Sequence, residues 1–317
     1  MISPRLRVAG LAAAAILAVA CGGSTATPTP TAAPPTPVAT PALTPAPTPT
    51  PTPSPEPTHF RAASIASDQL VAPGSLTVCS DLTSLPQAFT DENGAPTGSD
   101  IEIADEIALR LGLKLAVLST PSAKLNATLA AHSCDVIVSG QAITAAQLNA
   151  AHMIPYFHAG QSLLVAKGNP KNIKTTLDLC NKSAGAFRGS PEMNHLAGNG
   201  SYNPALGLSS NCQAAHLQTI KILEYRTGGD AVAGLTSGKI AAFLVRSPLA
   251  GYYVLQQPSA VEVVPGILLD DVKEGIAVSK ARPDVEIGVK LALKTMLRDG
   301  TYIQILMKYG DESGTIV

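Results

Sequence analysis

Tryptophan is absent from the 317 residues, aromatic residues make up only 4% and charged residues 14%. With so few rings and no basic run, the chain lacks the stacking platforms and cationic stripe that nucleic-acid binding needs. The formal net charge of −1 adds no long-range pull on a charged partner. No CxxC pair occurs, and the six histidines show no metal-ligand spacing such as HExxH, so neither a metal nor any other cofactor is expected. Each histidine (His59, His132, His152, His158, His195, His216) reads as a surface or loop residue. Arg188-Gly189-Ser190-Pro191-Glu192 lacks the G-x-S-x-G elbow of a serine hydrolase. Asp270-Asp271 reads as a solvated turn. Beyond the first twenty residues no apolar stretch is long enough to span a bilayer.

What is present begins with a targeting segment over residues 1–20. Arg5 and Arg7 precede an apolar stretch, Val8 to Ala20, that is short for a membrane span. Ala18-Val19-Ala20-Cys21 resembles a lipoprotein cleavage box, although Ala18 stands where such boxes more often carry Leu. The resemblance implies a diacylglycerol on Cys21 and an exported chain anchored to the outer face of the cytoplasmic membrane; the alternative is an ordinary secretory signal with an incidental Cys. Residues 21–66 are expected to be a disordered tether. Half of the 26 prolines lie between Pro28 and Pro57, and no charge appears between Arg7 and Glu56. Such a segment cannot bury a core and favours extended conformers, reaching roughly 100 Å at about 3.1 Å per residue.

The folded region is organised around Cys134 to Gln147. Asp135 to Ser139 is a short apolar run, closed by Gly140 and followed by a helical segment over Ala145 to Ala151. A strand that stops at small residues and reopens as a helix leaves backbone N–H groups at the carboxyl edge of a sheet, where open α/β folds bind ligands. Upstream, Leu76 to Ser80 predicts a strand, and Ser99-Asp100-Ile101-Glu102 has the form of a capping box opening a helix that Gly112 stops. Lys114 to Leu118 and Ala123 to Ala131 complete a βαβαβ series. Gln161 to Ala166 then crosses to a second series: strand Ser183 to Phe187, strand Ile220 to Tyr225, helix Asp230 to Ser237 and strand Ile240 to Val245. Gly275 to Ser279 predicts a return strand, Pro283 to Asp299 a long helix and Tyr302 to Tyr309 a short one. The expected division is 67–163 plus 266–317 for one lobe and 164–265 for the other. Four cysteines besides Cys21 in an exported chain point to disulfides. Pairing Cys79 with Cys134 and Cys180 with Cys212 keeps each bond within one lobe; buried free thiols are the alternative.

In order and spacing, these residues resemble the family 3 extracellular solute-binding proteins of ABC importers. Gly98-Ser99-Asp100-Ile101-Glu102 stands for the family's GFDxD, and Cys134 to Gly140 for its DVIxSG. Ile143-Thr144, Gly238-Lys239-Ile240, Ser247-Pro248, Gly275-Ile276-Ala277-Val278 and Asp299-Gly300-Thr301-Tyr302 follow. The resemblance implies an α/β, two-lobe periplasmic-binding-protein-like fold of type II, each lobe a mixed sheet flanked by helices, closing over one small molecule. It also implies a monomer that hands its solute to an ABC permease, and no enzyme, although some relatives of this fold are dehydratases. A sensing module that keeps the fold without a transporter is a further reading.

The same resemblance makes the site unusual. The family forks an Arg onto the ligand carboxylate and sets an Asp against its ammonium. Here the Arg position is Gln147 and the Asp position is Arg246. Ala142 replaces a hydroxyl residue, Pro191 replaces a Thr, and Ser84 and Ser122 stand where an aromatic pair usually sandwiches the ligand. Asp81 and Gly140 match. An amino-acid ammonium in the usual pose would face Arg246, and a buried charge left without its partner costs about 3–5 kcal/mol. The expected ligand site is therefore Asp81, Ser84, Ser122, Gly140, Ala142, Gln147, Arg188, Ser190 and Arg246. That set fits a small polar solute carrying an acidic group. A neutral polar solute, an empty pocket, or arginines paired structurally with Asp81 and Glu192 are the alternatives.

Overall fold

The structure, a computed structural model, describes residues 63–198 and 207–316. The targeting segment, Cys21 and nearly all of the tether lie outside the described residues. Five elements carry most of the architecture of the first part of the chain. β1 (Ser75–Ser80) pairs in parallel with β5 (Lys114–Ser119) on one side and with β6 (Val136–Ile137) on the other. The helices between them are α1 (Ser99–Arg110) and α2 (Leu125–Ala130). A small antiparallel sheet of β2 (Thr83–Ser84), β3 (Ala88–Thr90) and β4 (Pro96–Thr97) leads into α1.

The predicted capping box does not form. The first N–H groups of α1 are taken by backbone: Ser99 N–H donates to Pro86 O at 3.2 Å and Asp100 N–H to Gln87 O at 2.8 Å. Gly98 permits this approach, since at its φ of 123° an added Cβ would lie 2.2 Å from Gln87 O. Ser99 Oγ, left free, donates to Asp311 at 2.6 Å, and Glu102 accepts from Tyr309 Oη at 2.6 Å. A local cap has been exchanged for two bonds to the C-terminal segment.

After α3 (Ala145–Ala150), β7 runs fifteen residues, His152–Ala166, longer than the predicted crossing strand. The second series is β8 (Ser183–Phe187), α4 (Pro191–Ala197), α5 (Leu208–Ala214), β9 (Lys221–Tyr225), α6 (Gly228–Thr236), β10 (Ala242–Arg246), α7 (Ser247–Gln256) and β11 (Val261–Val263). The chain returns through β12 (Leu269–Val278) and ends in α8 (Pro283–Asp299) and α9 (Thr301–Tyr309). Strand order is β5-β1-β6-β12-β7-β10-β8-β9, with β11 on β7. β12 lies antiparallel to β7 over nearly its whole length, with bulges between Leu269 and Val272 and between Glu274 and Gly275.

Two groups of core side chains flank this pair of strands. One draws on residues before Gly160 and after Gly275, among them Leu76, Ile103, Tyr156, Val289 and Tyr302. The other draws on residues between, divided over the two faces of the second sheet section: Leu163, Leu179 and Leu244 on one, Leu164, Phe243 and Val261 on the other. α7 packs close to the C-terminal segment, since a Cβ at Gly251 would meet Gly310 O at 1.9 Å. The disulfides join Cys79 to Cys134 and Cys180 to Cys212, the latter closing a 32-residue separation. Replacing Cys180 and Cys212 together by Ser is expected to lower stability by about 2–5 kcal/mol in urea unfolding; an unchanged midpoint and slope would contradict the structural weight given to that bond.

Candidate functional site

The loops after β1, β6 and β10 bring their residues to one region. Ser139 and Gly140 follow β6, Asp81 follows β1, and Arg246 ends β10. Asp81 N–H donates to Ser139 Oγ at 2.9 Å. Its carboxylate is engaged locally: Oδ1 accepts from Thr83 N–H (3.2 Å) and Thr83 Oγ1 (2.7 Å), and Oδ2 accepts from Ser122 N–H at 2.8 Å. Partial burial pushes its pKa up, but these bonds outweigh it and hold the carboxyl below its usual range. Asp81 and Ser122 thus meet directly. Ser84, half-buried, sits on β2 opposite Ala88.

Gly140, at φ 55°, marks the centre of a second group. A Cβ here would lie 3.2 Å from Gln87 Oε1 and 3.4 Å from Glu274 Oε1. Its N–H donates to Tyr156 Oη at 3.1 Å, and Tyr156 Oη donates to Asp100 at 2.6 Å. Ala142 bridges to Glu274 backbone to backbone. Glu274 is fully committed: Oε1 accepts from Arg246 Nη2 at 2.9 Å, and Oε2 accepts from Gln87 Nε2 at 2.6 Å. The same Arg246 Nη2 reaches Gln87 Oε1 at 3.2 Å. The Glu274 side chain is 2% exposed and that of Arg246 45%, so the ion pair has one sealed partner and one open edge.

Both arginines had been expected to be free for ligand or paired with Asp81 and Glu192. Instead Arg246 pairs with Glu274, and Arg188 donates from Nε to Glu224 Oε2 at 2.9 Å on the surface. Ser190 caps α4, its Oγ accepting from Met193 N–H. Among the described residues no hydrogen bond or ion pair joins Arg188 or Ser190 to the group around Gly140. Gln147 lies in the first turn of α3, its N–H donating to the capping Thr144 Oγ1; its Oε1 is enclosed and has no partner among the described residues. His195 is not a surface residue. It lies buried on α4, where its Nδ1 is 2.8 Å from Gln161 Oε1 and 3.1 Å from Asp270. Asp270 and Asp271 are correspondingly tied to His195 and His158 rather than merely solvated.

Sequence reasoning missed Gln87, Asp100, Tyr156 and Glu274. The available signal was one charge, Glu274, set directly against the apolar run Gly275 to Val278. Three carboxyls are buried here. Desolvation pushes Glu274 up, opposed by Arg246 and Gln87. Desolvation, reinforced by the negative charge of Glu274, raises Asp100 to about 7. Asp311, also desolvated and bonded only through Oδ2 to Ser99 among the described residues, is raised to about 8. A separate cavity of about 740 Å³, lined by Ser162, Ser247, Val254, Ile267 and Met307 among others, contains none of the expected site residues.

Residues 76–312 match the profile of the bacterial extracellular solute-binding proteins, family 3. The chain is 27% identical over 232 residues to the L-cystine-binding protein TcyJ of Escherichia coli K12, covering 72% of this chain and 79% of that one. It is 25% identical over 257 residues to the lysine/arginine/ornithine-binding periplasmic protein of the same organism, covering 78% and 92%. Among solved structures, an ancestral cationic amino acid solute-binding protein, AncCDT-1, is similar with a TM-score of 0.60 and 29% identity, covering 76% of this chain and 98% of that one. The fold is shared with a polar amino acid ABC uptake transporter substrate-binding protein from Streptococcus thermophilus, at a TM-score of 0.67 and 19% identity, covering 78% and 90%.

The raised carboxyl of Asp311 has a thermodynamic consequence. In the unfolded chain it titrates near its ordinary value of about 4, so between there and about 8 the native state keeps a proton the unfolded state has lost. Stability must fall as pH rises across that window. Asp311→Asn is expected to flatten the fall in urea-unfolding free energy between pH 5 and 9, a pH interval set by the folded value of about 8; an unchanged slope would show that Asp311 is ionised in the native protein.

Proposed function

Because the chain belongs to the bacterial extracellular solute-binding proteins of family 3, we propose that it captures a small polar solute between two lobes and delivers it to the permease of an ABC importer. Residues 67–163 with 266–317 form one lobe and 164–265 the other, and β7 with β12 is the hinge. The observation that carries the reading is the half-exposed guanidinium of Arg246. It sits at the carboxyl end of β10, bound through its inner edge to Glu274 and Gln87, beside Gly140 at the end of β6. Two sheet sections thereby present their carboxyl ends to one another, the place where open α/β sheets hold ligands. Closing about the hinge would bury the solute among fixed hydrogen-bonding groups.

In this reading Arg246 supplies N–H donors, Asp81 an ionised acceptor on the facing edge, and Gly140 leaves the space into which the solute approaches. The protein is exported, and a lipid on Cys21 holds it to the outer face of the membrane while the proline-rich tether gives it reach. It acts as a monomer.

Native mass spectrometry of gently purified protein is expected to show a bound small molecule. The recovered solute should raise the melting temperature of the emptied wild-type protein, and Arg246→Ala should weaken its binding at least tenfold by calorimetry. Conversion of that solute into a product would overturn the binding-protein reading in favour of an enzyme. Undiminished affinity in Arg246→Ala would move the site elsewhere.

A further inference from the structure

We propose that Glu274 sets the charge selectivity of the cleft: by cancelling Arg246 it makes the site one for an uncharged polar solute and excludes simple anions. This narrows the solute-binding reading above and rests on it. Arg246 is the arginine whose side chain joins the group around Gly140, and at first sight it invites an acid. Its partner lies 2.9 Å away, however, so an approaching anion meets the repulsion of Glu274 together with the attraction of Arg246. One further acid stands close: Asp100 lies behind Glu274, linked to Gly140 through Tyr156. Asp81, its carboxyl held below the usual range, follows β1, where its N–H meets Ser139 next to Gly140. Lys273, next to Glu274, is on the exposed part of β12 and makes no ion pair among the described residues. The balance of charge around the open edge of Arg246 is therefore not positive.

Hydrogen-bonding capacity is not cancelled along with the charge. Arg246 uses Nη2 for Glu274 and Gln87, while Nε and Nη1 have no partner among the described residues. They remain a donor edge for a carbonyl, amide or hydroxyl oxygen. Glu274 itself cannot be a ligand contact, because its side chain is sealed and both oxygens are bonded. It acts through Arg246, as a positioning and selectivity residue. Gln87 makes the arrangement rigid. Its backbone carbonyl accepts from the start of α1 and its amide clamps the free side of Glu274, so the carboxylate cannot turn away without breaking a buried hydrogen bond.

Sulfate and succinate are suitable probes, since they report on charge whether or not a natural solute has been found. By titration calorimetry wild-type protein should bind neither. Glu274→Gln, which keeps shape and an acceptor while removing the charge, should bind sulfate at least tenfold more tightly than wild type, and the gain should vanish in Glu274→Gln with Arg246→Ala. A merely structural Glu274 would give loss of stability without this Arg246-dependent gain. Should the amide variant fail to fold, Glu274→Met serves in its place. Sulfate or succinate bound by wild-type protein in an Arg246-dependent way, or no gain in a folded neutral variant, would overturn the proposal. Absence of any co-purified solute would instead count against the solute-binding reading and leave the selectivity result standing.

Discussion

The antiparallel pairing of β12 with β7 is the constraint on which the rest of the structure depends. β7 continues from the first core group into the second without interruption, and β12 returns beside it. Parallel strands demand long crossovers, so each βα series builds its own section of sheet; an antiparallel pair lets two such sections share strands. β12 passes from exposed to fully buried residues at Glu274, and the register with β7 shifts in the next step, between Glu274 and Gly275. Bulges bend a strand and re-aim side chains, and here the extra residue is Tyr156 on β7, between Phe157 opposite Glu274 and Pro155 opposite Gly275, with its hydroxyl on Gly140 and Asp100.

That placement explains the electrostatics. A carboxylate as buried as Glu274 needs a cation and a second donor, or it becomes protonated. Arg246 and Gln87 supply them from the second sheet section and from the loop before α1. One ion pair thus ties three separate stretches of chain together next to Gly140. Buried ion pairs of this kind contribute little net stability because desolvation offsets their attraction. Their value is in fixing geometry and charge, which is the role assigned to Glu274.

Much of this fold was legible in the sequence, for identifiable reasons. β8 and α8 have the expected bounds because each is closed by unambiguous signals: the Arg188-Gly189-Ser190 turn in one case, Pro283 and Gly300 in the other. Asp81 directly follows β1, Arg246 ends β10, and Gly140 lies three residues past β6, so their positions relative to the strands were readable from the apolar runs beside them. α7 was not anticipated; Gly251 stands inside it where a helix former would be expected, its apolar residues lie all round, and the tight approach of Gly310 accounts for that glycine. The run Asp135 to Ser139 forms just two residues of strand because Asp135 turns its carboxylate to the N–H groups of Val71 and Thr77 and Ser139 serves Asp81. The partners of Arg246 were illegible for a deeper reason. Gln87 and Glu274 lie 187 residues apart, and no local pattern records a contact between residues so distant in sequence.

The most direct test is a crystal structure of the protein purified without dialysis, so that a tightly held solute is retained. The expected density is that of a molecule without net charge, accepting hydrogen bonds from the open edge of Arg246 beside Gly140, with the Arg246–Glu274 pair intact. An acid seated on Arg246 with Glu274 displaced, or a solute lodged behind α7 in the 740 Å³ cavity with nothing beside Gly140, would contradict it.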